Sequence, residues 1–249
     1  VAGVVVSKTA YAVNSITLCV TAFCALSLQI LSNLINDYYD YLRGTDKAGR
    51  KGFKRALAEG EVTPKAMLCA CLLAAAVACL LGLYLVYTGG VVILVIGLTA
   101  LLFAWLYTAT PYSLSYLGIA DIFVFLYYGV IACSGTAYLL LCGEEHTDGW
   151  NATILSSFYA GAVSGCISMC VLMINNLRDI VSDRAVGKRT FPVRFGKNAA
   201  HIFLFIVVLL MPLFAYLAFR SPLPMLVVIP AFVLWMKIIR SEGAAYNKC

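Results

Sequence analysis

Charge is what this chain has least of. Only 12% of its 249 residues are Asp, Glu, Lys or Arg, whereas 62% are hydrophobic, and the mean hydropathy is +0.91. A soluble domain carries about 25% charged residues, so the composition excludes a water-bathed globule. Histidine is scarce, at two residues. Nine of the ten cysteines lie in or at the ends of apolar runs, and none has metal-ligand spacing to His146 or His201. They read as small hydrophobes rather than as zinc or iron–sulfur ligands. The net charge of +6 comes without any stacking or groove-reading motif, so nucleic acid is not an expected partner.

What the chain has is length for membrane helices, each needing roughly 20 apolar residues. The pattern predicts seven complete spans, at 15–38, 64–87, 91–109, 117–142, 151–174, 199–219 and 223–240. The expected class is an all-α polytopic membrane protein. Val1–Val6 reads as the tail of a further span, so residues 1–249 form one transmembrane domain expected to be truncated at both ends.

The few charges are sorted. Thirteen of the 18 basic residues fall in 41–65 and 176–198, while 143–149 carries Glu144, Glu145 and Asp148. By the positive-inside rule the two basic loops face the cytoplasm. Counting spans puts both loops on that same side.

Two clusters of Asn and Asp sit beside these loops. The first is Asn33, Asn36, Asp37 and Asp40, with Asp46 beyond Gly44; the second is Asn175, Asn176, Asp179 and Asp183. On a helix Asn33 and Asp37 are one turn apart, as are Asn36 and Asp40, and Asn175, Asp179 and Asp183 form one stripe. An acid at a membrane edge is a functional-site hypothesis unless it is paired. Hard oxygen donors of this kind suit Mg²⁺, which takes one or two carboxylates and completes its octahedron with water and phosphate. One Asp-x-x-x-Asp is a weak signal, and a solvated helix cap would explain either cluster alone. Two polar clusters at equivalent span ends, each with Asn-x-x-x-Asp spacing and each followed by Lys and Arg, point to a magnesium-bridged diphosphate. A cation transporter would instead favour acids at mid-span and broken helices.

Three stretches carry a family resemblance: LQILSNLINDYYDYLRGTD (28–46), YTATPYSLSYLGIADIFVFLYYG (107–129) and NNLRDIVSDRAVGKRTFPVRFG (175–196). They resemble the UbiA superfamily of intramembrane prenyltransferases, and within it the 1,4-dihydroxy-2-naphthoate polyprenyltransferases of menaquinone synthesis, the MenA type. The resemblance implies a helical bundle of about nine helices around a central cavity in the cell (inner) membrane, open to the cytoplasm. It implies Mg²⁺, a polyprenyl diphosphate donor and an aromatic acceptor, dihydroxynaphthoate or alternatively 4-hydroxybenzoate. Asp37, Asp40, Asp179 and Asp183, with Asn33 and Asn175, would hold the metal. Asn36, Asp46, Lys54, Arg55, Asn176, Arg178, Lys188 and Arg189 would contact substrate. Tyr107 and Tyr116 are candidate rings beside a carbocation, with Tyr38, Tyr39, Phe103 and Tyr112 as further aromatics. Asp121 reads equally as a helix cap and as an acceptor-orienting acid or base.

The span order is testable by labelling. In a cysteine-free background Lys51→Cys should react with an impermeant maleimide only from the cytoplasmic side, and Glu145→Cys only from the other. Reaction of both from one side would refute the span order.

Overall fold

The computed structural model describes residues 14–44, 55–107, 109, 113–142, 148–222, 226 and 228–240. Val1–Val6, Asp46, Lys54 and Tyr112 lie outside these residues. Helix α1, Ser15–Leu42, starts where Asn14 Oδ1 accepts hydrogen bonds from the amides of Ile16 and Thr17, each at 3.1 Å. This satisfies two of the amides a helix N-terminus leaves unpaired. The next helical run, Pro64–Leu106, is capped by Thr63 and has Pro64 at its first position.

That run of 43 residues would be about 65 Å long if straight, roughly twice the hydrocarbon thickness. It breaks at Gly90, whose φ of 64° and ψ of −152° suit glycine alone. The result is a hairpin of α2 (64–89) and α3 (91–106). α2 runs antiparallel to α1: Thr17 Oγ1 lies 3.4 Å from the Tyr84 hydroxyl, and the Cys24 thiol faces the Ala78 carbonyl. α3 turns back, so that Cys24 packs in one cluster with both Leu85 and Ile93. The break falls in the gap between the spans expected at 64–87 and 91–109.

A short helix α4, Leu114–Leu117, ends at Gly118. α5 follows over Ala120–Leu141 and contains a π-helical turn at Leu126–Ile131. α6, Asp148–Arg178, stops at Asp179, and α7, Ile180–Ala185, leads into α8, Phe191–Phe219, which breaks at Gly196. α9, Val228–Ile239, packs on α8, with Trp235 Nε1 donating to the His201 carbonyl at 3.1 Å. Within the described residues α9 has 12 residues, fewer than a crossing needs, where the sequence predicts a span at 223–240. The fold is all-helical among the described residues. Five helical runs are long and apolar enough to cross a membrane, and the second of them is the α2–α3 hairpin.

Two contacts set the interior. Buried Met173 and Leu177 of α6 pack on Leu204, Val207 and Met211 of α8. Between α5 and α6 there is room only for glycine. A Cβ on Gly129 would stand 2.5 Å from the Gly161 carbonyl and the Gly165 Cα, and one on Gly161 2.7 Å from the Gly129 carbonyl. Small residues bring helices close where lipid supplies no hydrophobic drive. On the outside, Leu72, Leu73, Leu80 and Leu83 of α2 are exposed, as suits a lipid-facing wall.

The end of α4 meets the residues that lead into and open α8. The Arg189 amide donates to the Tyr116 carbonyl at 3.2 Å, and Arg194 Nη1 donates to the Leu117 carbonyl at 2.9 Å. Gly118, at φ 72°, lets this approach happen: a Cβ there would lie 2.3 Å from the Arg189 carbonyl.

The glycine seam makes a packing prediction. Gly161→Leu should destabilise the detergent-solubilised protein by about 3 kcal/mol, because overpacking here meets backbone rather than a movable side chain. Gly97→Ala, with nothing within 4 Å of the new Cβ, should leave thermal unfolding unchanged or raise its midpoint. Equal effects would refute the close packing of α5 on α6.

Candidate active site

A polar cavity of about 960 Å³ lies at this end of the bundle. α1 contributes Asn33, Asn36 and Asp40; the end of α6 and α7 contribute Asn175, Asn176, Arg178, Asp179 and Asp183; Arg55, Lys188, Thr190 and Lys197 complete the charged and polar wall. The two clusters, separate in sequence, share one space.

Each side arises from local structure. Gln29, Ser32, Asn33, Asn36 and Asp40 recur at helical intervals, so a single face of α1 lines the cavity. Asp37 follows Asn36 by one residue, a rotation of about 100°. It is buried off the cavity wall. On the opposite wall the helix breaks at Asp179 (φ −96°, ψ 9°), turning α7 across the end of the bundle. Arg178 locks this corner. Its Nε and Nη2 donate to the two Asp179 carboxylate oxygens at 2.8 and 2.7 Å, and its Nη1 donates to Asn175 Oδ1 at 3.0 Å. Arg178 is held at the corner by these bonds and also lines the cavity. Thr190 Oγ1 lies 3.5 Å from Asp183 Oδ2, at the limit of a hydrogen bond.

An ion pair joins the walls. Lys188 Nζ donates to Asp40 Oδ2 at 3.1 Å, with only 11% and 4% of the two side chains exposed. The Lys188 ammonium also sits 5.4 Å from the Tyr116 ring centroid, and the Arg43 guanidinium 4.8 Å from it. Tyr116 thus braces two cations and lines neither cavity. Arg189 is exposed, held by its backbone to Tyr116.

The donor set fits an oxygen-seeking cation. Asp40 Oδ1 is buried and accepts no hydrogen bond among the described residues, and Asp179 and Asp183 line the same space. Among the described residues no three His, Cys, Asp or Glu side chains group tightly enough to hold an ion by themselves. Mg²⁺ takes few protein carboxylates and fills its shell with water and phosphate.

Beside the polar cavity lies an apolar one of about 710 Å³, walled by α1, α2, α3 and α5. The two share Gln29, Ser32, Tyr107, Val124 and Tyr128. On the apolar side Phe103 stacks on Phe123 and Tyr127, with centroids 4.6 and 4.9 Å apart. Asp121 is buried in α5 off both cavity walls, and its Oδ1 accepts no hydrogen bond among the described residues. Sequence reasoning missed Gln29, Ser32, Tyr128 and Lys197. The first two continue the Asn33–Asn36–Asp40 face and were findable from that spacing. Lys197 follows the break at Gly196, where no periodicity points.

The UbiA prenyltransferase family model matches residues 1–245. The 1,4-dihydroxy-2-naphthoate octaprenyltransferase of Escherichia coli (strain K12) is 36% identical over 176 residues, 68% of this chain and 54% of that protein. The enzyme of the same name in Bacillus subtilis (strain 168) is 31% identical over 179 residues, 72% and 54%. The chain spans about half the length of these relatives. A solved UbiA homolog from Archaeoglobus fulgidus, bound to DMAPP and Mg²⁺, superposes with a TM-score of 0.64 over 93% of this chain and 80% of that one. At 16% identity that likeness speaks for the fold. A family match along almost the whole chain, on a bundle that joins both Asn/Asp clusters in one cavity, shows that the chain belongs to the UbiA prenyltransferase family.

Proposed function

We propose that this chain transfers a polyprenyl group from polyprenyl diphosphate to 1,4-dihydroxy-2-naphthoate, with loss of the ring carboxylate as CO₂. The observation that carries the reading is the adjoining pair of cavities, one walled by acids, amides and cations, the other by apolar and aromatic side chains. A prenyl diphosphate has the same two halves. Two named dihydroxynaphthoate octaprenyltransferases among the relatives support the acceptor.

Asp40, Asp179 and Asp183, with Asn33 and Asn175, would hold Mg²⁺, which would supply positive charge to offset that of the diphosphate. Asp37, behind the α1 face, would tune that charge. Lys188, Arg55 and Lys197 would meet phosphate oxygens and the acceptor carboxylate. Charge grows on the leaving diphosphate as the allylic C–O bond breaks, and cations fixed in advance stabilise it without reorganising. The aromatic and aliphatic walls of the second cavity keep water from the allylic cation. The acceptor ring then forms the new carbon–carbon bond. The electron pair of its carboxyl bond returns to the ring as CO₂ departs, giving a demethylmenaquinol. The site would open to the cytoplasm from a multi-pass position in the cell membrane.

Asp40→Asn, Asp179→Asn and Asp183→Asn should each lower prenyl transfer by about a hundredfold or more, the usual worth of one preorganised charge-stabilising group. EDTA should abolish turnover and Mg²⁺ restore it. Full activity in EDTA or in the double Asp40/Asp183 variant would sink the metal reading.

The acceptor is read separately. With carboxyl-labelled dihydroxynaphthoate, labelled CO₂ should appear in step with the prenylated quinol, and 4-hydroxybenzoate should react poorly. Label retained in the product would move the chain to another acceptor branch.

A further inference from the structure

The five residues shared by the two cavities define a neck, and α5 is built to hold one of them there. The π-helical turn Leu126–Ile131 adds a residue to a turn of α5 and re-aims Tyr128; such turns recur at functional sites. The turn is held from behind. Gly129 packs on the α6 backbone at Gly161 and Gly165, and Ser164 Oγ donates to the Tyr128 carbonyl at 3.3 Å. From this support the Tyr128 hydroxyl reaches across and donates to Ser32 Oγ of α1 at 3.2 Å. Ser32 lies one position before Asn33, on the face that carries Asp40. The Tyr128–Ser32 bond therefore spans the neck between the polar and apolar cavities.

We infer that Tyr128, latched to Ser32, is the barrier that separates the water of the diphosphate compartment from the allylic carbon. The inference rests on the prenyl-transfer reading. A donor whose diphosphate lies among Asp40, Asp183 and Lys188 and whose tail lies beside Phe103 and Tyr127 must place its first isoprene unit at this neck. The electron pair of the broken C–O bond leaves with diphosphate. Any water admitted there would donate a lone pair to the allylic carbon and lose a proton to bulk, giving a free prenyl alcohol in place of the transferred chain. Tyr128 is a positioning and excluding residue in this account, so its loss should change which product forms as well as how fast.

The test uses the full chain in proteoliposomes with Mg²⁺ and a polyprenyl diphosphate, measuring prenyl alcohol and prenylated naphthoquinol together. Tyr128→Ala should raise the ratio of alcohol to transfer product about tenfold, the effect of roughly 1.4 kcal/mol on the partition. Tyr128→Phe and Ser32→Ala, which keep the ring but cut the bond, should raise it by a smaller factor. A second arm omits the acceptor, and the same variants should release alcohol faster than the unaltered chain. Unchanged partition and unchanged acceptor-free release in Tyr128→Phe and Ser32→Ala would overturn the barrier, even if Tyr128→Ala fails to fold. Faster acceptor-free release with no naphthoate product from the unaltered chain would support the barrier while refuting the naphthoate reading.

Discussion

The bundle depends on what happens to a charge at the edge of a bilayer. Desolvating a carboxylate costs several kcal/mol even after relaxation, and removing one partner of a buried pair leaves the other stranded. Lys188 and Asp40 meet that constraint together, 148 residues apart in the chain. The acid of α1 is sustained where the loop after α7 closes over it. That closure in turn uses the left-handed turn at Gly187, the tight passage of Gly118 against Arg189, and the ring of Tyr116 beneath Lys188. Arg178 and Asp179 repeat the solution on the other wall, within one helix corner.

Close packing carries the rest. Where α5 meets α6 the backbones touch through Gly129, Gly161 and Gly165. The π-helical turn lies at this contact, and the carbonyl of Tyr128 is met by Ser164 from the facing helix. The same small residues that bring two helices together thus fix where a tyrosine enters the space between the cavities.

Much of this was legible in the sequence, because in lipid a helix must satisfy its own backbone and its apolar length is dictated by the bilayer. The hairpin at Gly90 fell between two expected spans, and both Asn/Asp clusters were assigned to one end. Side-chain direction was less legible. Asp37 shares its cluster with Asp40, yet it does not line the cavity, being buried off its wall. Arg178, expected on substrate, lines the cavity and also pairs with the neighbouring Asp179, a bond that helix spacing does not announce. Tyr128 was hidden because a π-helical turn shifts the helical period by a residue, and no apolar pattern announces that.

The break at Gly90 also bears on how the protein enters the membrane. From Ala66 to Ala120 the sequence has no charged residue. The α2–α3 hairpin therefore moves no charge across the hydrocarbon when its tip passes through, and it carries no orientation signal of its own. By the positive-inside rule, the nearest orientation signal is the basic stretch at 41–65 that precedes it. The two helices can be delivered to the bilayer as one folded unit, with the chain reversing at a single glycine.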